Sequence, residues 1–167
     1  GYRLVIASYD LSTKLPAGLE DELSGLSGTG DLLIVLFHVA GTPGYLPAAS
    51  LRSAVDGAVR AGARIIVSHG SHVVGPVERR RGSVIAWGLG NLAFNCACTE
   101  EYEAIILQVS IDPANRTEPI ASACVVPIDA GLQGRASVPA HESSLVLDLL
   151  EALGSDRLDR QGTRACF

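Results

Sequence analysis

The chain has 167 residues, 47% hydrophobic and 19% charged, with a net charge of −5; that is long enough for one domain with a sizeable core. An isoelectric point near 5.3 and scattered arginines argue against a nucleic-acid or anionic-membrane surface. No apolar run approaches the roughly 20 residues that span a bilayer and no signal segment opens the chain, so a cytoplasmic protein with no membrane partner is expected.

The chain begins inside an apolar stretch, YRLVIAS, with no initiator Met, as the C-terminal piece of something longer would. Residues 2–8 alternate in polarity and predict a strand that runs into SYD. Residues 16–26 (PAGLEDELSGL) predict a short helix with Pro16 in its first turn. Six apolar residues in a row at 32–37 predict a strand covered on both faces, ended by His38. The loop VAGTPGYLP follows. Across 47–61, Leu51, Val55 and Ala58/Val59 recur at helical spacing, and Gly62 supplies the stop. Residues 64–67 predict the next buried strand. Strand, helix and strand in this order make a βαβ unit with a right-handed parallel crossover.

Residues 73–78 and 83–87 flank an RRRG turn and predict a hairpin, after which Gly88-Leu89-Gly90-Asn91 forms a backbone-close loop. Two further strands are predicted at 103–111 and 120–128. A closing helix over 143–153 would place Leu145, Leu149 and Leu150 on one side. From Gly154 the chain is polar and is expected to be loosely held. Four cysteines do not make a disulfide scaffold in a domain this size, and Cys96-x-Cys98 is too tight for a zinc knuckle, so free thiols are expected.

Three of the four histidines fall where apolar runs end. The two strands of the βαβ unit finish at the same sheet edge, so His38 and the loop Ser68-His69-Gly70-Ser71-His72 can converge there. Ligands of open α/β sheets bind at that edge. Neutral imidazoles suit borderline metals, and two histidines three apart on a turn can face one ion. A single strand-end histidine is as readily a satisfied polar cap; three at one edge point to a metal-centred site. Three neutral ligands do not neutralise divalent ions, and the nearby acids, Glu78 and Asp31, stand at the wrong ends of their strands. The carboxylates are therefore expected from outside this chain. Glu78 is expected to pair with an arginine of the RRR turn or a backbone amide. Asn91 could donate to a ligand or hold a tight turn, Trp87 is expected in the core, and His141-Glu142 looks like a helix start.

With these residues the chain resembles the CapA family of bacterial poly-γ-glutamate capsule synthesis proteins, a branch of the calcineurin-like metallophosphoesterases. The resemblance rests on Asp31 to His38, on Ala61-Gly62-Ala63-Arg64, on Ser68 to Glu78 and on Trp87-Gly88-Leu89-Gly90-Asn91-Leu92-Ala93-Phe94, in order and at the family's spacing. It implies an α/β fold, the C-terminal half of a calcineurin-like αββα sandwich with a metal site at the strand ends. Residues 1–153 would be the second half of one domain and 154–167 a polar tail. The family's Asp, Asn-Glu and Asn-His motifs are absent, so an N-terminal half, cleaved off or encoded separately, is implied as a partner. His38 and His72 match family metal ligands. The first histidine of the family's H-P-H falls on Gly70, with His69 one position earlier, and the W-G-x-E-Y loop has lost its acid.

The implied site is thus altered. His38, His69 and His72 are candidate ligands of a divalent ion (Mn, Zn, Fe, Ca or Mg), His72 and His69 candidate acid/base residues, and Asn91, Gly41 and Tyr45 candidate substrate contacts. A freed histidine beside a metal suits abstraction of a proton α to a carbonyl. The lasso-peptide epimerases are similar to CapA proteins, so epimerisation at Cα of a ribosomal peptide's C-terminal residue is the first expectation. Capsule or polyglutamate synthesis or hydrolysis, and a metal-free non-catalytic domain, are the alternatives.

Overall fold

The computed structural model describes residues 1–40, 44–94, 103–132, 135 and 137–167. In chain order the elements are β1 (Leu4–Asp10), α1 (Leu19–Ser27), β2 (Leu32–His38), α2 (Ala49–Arg60), β3 (Ile65–His69), β4 (Val77–Arg80), β5 (Ser83–Ala86), β6 (Ala93–Phe94), β7 (Glu103–Ile111), β8 (Ile120–Asp129), β9 (Gly131–Leu132), β10 (Val138–Pro139), α3 (Ser143–Ala152), β11 (Asp159–Gln161) and β12 (Arg164–Cys166). No helix among them is long and apolar enough to cross a membrane.

The result is a mixed α/β architecture with two five-stranded sheets and a small pair, β6–β9. The first sheet has the order β1-β2-β3-β5-β4; β1, β2, β3 and β5 are parallel and β4 returns antiparallel to β5. The second is built on β8, paired with β7 along one side and with β10 and β12 along the other. The two apolar faces of the first sheet explain its continuous hydrophobic runs. One face packs on α1 and α2 through Leu23, Val35, Phe37, Val55, Ala58, Ile66 and Ile85. The other meets the second sheet and α3 through Val67, Val77, Val84, Val125, Leu147 and Leu150.

Several expectations need correction. The first helix starts at Leu19 and not at Pro16, because Gly18 holds φ 74°, a left-handed conformation that helical residues do not adopt. The buried face of α3 is Val146, Leu147 and Leu150; Leu145 is 57% exposed, and the sheet selects the neighbouring stripe of an evenly apolar helix. The polar tail is not loosely held. Its hairpin β11–β12 adds to β8, and Asp156 and Ser155 bond the edge strand β4 at Val77 and Arg79. Cys124 and Cys166 face each other across β8 and β12 and form a disulfide, a pairing that suits an oxidising compartment and not the free thiols expected. Cys96 and Cys98 lie outside the described residues. Among the described residues Glu78 pairs with neither an arginine nor an amide: it accepts from the Trp87 indole at 2.9 Å.

Candidate functional site

The register of the parallel strands builds the site. Asp10 of β1 pairs with His38 of β2, and His38 pairs with His69 of β3. Paired residues on parallel strands project from the same face, so one row of three ionisable side chains ends the sheet at its carboxyl edge. The two rings lie 5.1 Å apart, centroid to centroid, inclined at 44°. The backbone beyond them is also tied: Leu11 N–H donates to the His38 carbonyl and Val39 N–H to that of His69, each at 2.8 Å.

Asp10 and Ser12 hold one edge of His38. The Ser12 hydroxyl donates to Asp10 Oδ1, and the Ser12 amide reaches the same oxygen at 2.8 Å. His38 Nδ1 stands 3.4 Å from that oxygen and 3.4 Å from Ser12 Oγ. Hydrogen bonds from the Ser12 hydroxyl and amide, and then from His38, hold the Asp10 carboxyl below its ordinary value. Burial, followed by repulsion from the neighbouring His38 charge, lowers His69 below 6.5. The neutral form of His69, whose side chain is exposed at the strand end, is thereby favoured, and the Asp10 carboxylate lies two strands away, beyond His38.

The other edge of His38 lies against Gly70. A Cβ at position 70 would come within 2.7 Å of His38 Cδ2 and 2.8 Å of Nε2, closer still to the Val39 carbonyl, and φ there is +94°. No side chain fits at this position beside His38 as it stands.

His72 has partners of its own. Its φ is 63°, unusual for a residue with a Cβ. Nδ1 lies 2.8 Å from Asn91 Oδ1, and Phe94 covers the ring at 4.5 Å. Asn91 is buried. Tyr45 is half-buried and packs on the core between the sheets. Gly41 lies outside the described residues. Asp31 stands at the opposite end of β2, engaged by Arg116 and the Arg3 amide.

The structure thus brings His38 and His69 together and gives His72 a separate setting. Among the described residues no group of three His, Cys, Asp or Glu side chains gathers as a metal-holding cluster. Asp10 and Ser12 escaped the sequence reading. The signal was present in SYD at the end of the first apolar run: pairing Leu4 with Leu32 carries Asp10 to the level of His38.

Below His69, on the same face, runs an apolar cleft of about 560 Å³ between Leu36, Ile65 and Val67 of the first sheet and Ile105, Leu107 and Val109 of β7. A family model described as bacterial capsule synthesis protein PGA_cap matches residues 10–96, a span that begins on Asp10 and includes His38, His69, His72 and Asn91. No curated protein matches the chain.

Proposed function

The chain belongs to the bacterial capsule synthesis protein PGA_cap family, and from that premise we propose that its strand-end histidines perform acid/base chemistry on a peptide-like capsule polymer. The substrate class is a chain of amide-linked, γ-glutamyl type, and the reaction cleaves or remakes one amide. The observation that carries this reading is the in-register row Asp10, His38, His69, with its two rings 5.1 Å apart. In the cleaving direction His69, held neutral, takes the proton of a water whose oxygen attacks the carbonyl carbon. The C–N bond breaks, and His38, backed by Asp10, gives a proton to the departing nitrogen.

A divalent ion belongs to the same proposal, but the described residues do not suffice to hold one. Two imidazoles are neutral ligands, and Asp10 is already turned on His38 Nδ1. A carboxylate-bearing second chain, the N-terminal half of the same protein, is the proposed source of the remaining ligands. What supports it is uncovered apolar surface: Leu4 is 50% and Ile6 63% exposed on the face that carries the site, and the cleft beneath His69 opens on the same face of the sheet.

Epimerisation of the C-terminal residue of a lasso peptide is the second reading. It is favoured by Gly70, which removes a family histidine and leaves the imidazoles free to move protons. There the Cα–H bond breaks and reforms on the opposite face with no net change in composition. Incubation of the two-chain assembly in deuterated water separates the readings. New chain ends without deuterium at Cα support the capsule reaction; deuterium at Cα with intact chain length supports epimerisation. Absence of both, with His38 and His69 intact, overturns the enzymatic account.

A further inference from the structure

The geometry points to Asn91 as a positioning residue that fixes the tautomer of His72 and reserves Nε2 of that ring for a ligand or a proton. This inference rests on the reading of His72 as a site residue, but it concerns the ring itself and can be tested without substrate or metal.

The side-chain amide of Asn91 meets His72 twice: its nitrogen faces the His72 carbonyl oxygen at 3.5 Å, and its oxygen faces ring Nδ1 at 2.8 Å. A carbonyl oxygen only accepts, so the amide nitrogen belongs beside it. The amide oxygen, which also only accepts, is then the atom facing Nδ1. Nδ1 must carry the hydrogen, and neutral His72 has its lone pair on Nε2. Rotating the amide would set oxygen against oxygen and nitrogen against the ring, so the arrangement is self-consistent in one orientation only.

The surrounding backbone keeps both partners in place. Gly90 holds φ +72°, and a Cβ there would lie 2.8 Å from Ala104 Cα and nearer still to the Glu103 carbonyl. Gly90 N–H donates to Val73 at 3.1 Å, which ties the loop bearing Asn91 to the residue after His72. The left-handed conformation of His72 turns its carbonyl and its ring to the same neighbour; such strain persists where the surroundings over-determine it. Asn91 is buried, and both ends of its amide face His72. This is the role that an oriented outer partner plays for a working histidine: it fixes ring rotation and tautomer while the other nitrogen stays available.

The test is a nitrogen-15 correlation spectrum of the histidine side chains, with His72 assigned by its loss in His72→Gln. For the neutral ring of His72 the expected result is a protonated Nδ1 and a bare Nε2. In Asn91→Ala the His72 signals should move toward the opposite tautomer while His38 and His69 stay unchanged. In Asn91→Asp, whose carboxylate also accepts, the wild-type tautomer should return. A wild-type His72 protonated on Nε2, or an Asn91→Ala spectrum with His72 unmoved, overturns the inference. The wild-type spectrum, assigned with His72→Gln, decides even where an Asn91 variant does not fold, and it does so whether or not the proposed reaction is found.

Discussion

Gly70 shows how one residue shapes the site. With φ at +94° and the His38 ring edge against it, replacement by alanine adds both backbone strain and a clash with backbone as well as ring. Gly70→Ala should lower stability by about 1–3 kcal/mol, read from the urea midpoint, and should alter the His38 side-chain signals. His69 supports a second prediction at this scale. Its folded value lies below the ordinary 6.5 because burial and the His38 charge disfavour its protonated form. Its contribution to stability is therefore intact above 6.5 and is lost as pH falls through the lowered folded value. His69→Gln should flatten the acid side of the stability profile in that window. A profile unchanged by the substitution would show that the ring titrates as it does in the unfolded chain.

At the scale of elements, strand and helix placement were largely legible because the apolar runs are long and have clear punctuation. The runs ending at His38 and His69 became β2 and β3, parallel and adjacent, as the βαβ spacing predicts. Phe37, fully buried one residue before His38, anchors that strand end; Phe37→Ala should cost about 3–5 kcal/mol and loosen the ring pair. The C-terminal hairpin was not legible, since Asp159–Gln161 and Arg164–Cys166 are polar and short. They form strands because β8 offers an open edge and the Cys124–Cys166 bridge joins them to it. That bridge closes a separation of 42 residues, which by chain entropy corresponds to about 4 kcal/mol. Reduction should lower the melting temperature and open the segment after Gly154 to protease, whereas an unchanged digestion pattern would mean that the hairpin holds without the bridge.

For the whole molecule, the uncovered apolar face governs behaviour in solution. Leu4 and Ile6 lie on the outer edge strand, on the face that carries the site, and the cleft under His69 opens on that same face. The isolated chain is expected to self-associate at rising concentration, as measured by light scattering. Ile6→Asp should reduce this with little change in stability, because the residue is already in water. Addition of the proposed N-terminal half should suppress the association, and Ile6→Asp should weaken its binding.

The βαβ core and the meeting of His38 with His69 follow from the sequence by itself, because hydrophobic period and strand polarity place the ends of parallel strands at one edge. Only the tertiary structure decided which polar groups join them. Asp10 enters through a register shared with a strand twenty-eight positions away in the chain, and His72 turns to Asn91 through a left-handed backbone that no local pattern announces. Register and backbone handedness are set by the packing of distant segments. For that reason a linear pattern names the residues of a site more readily than it names their partners.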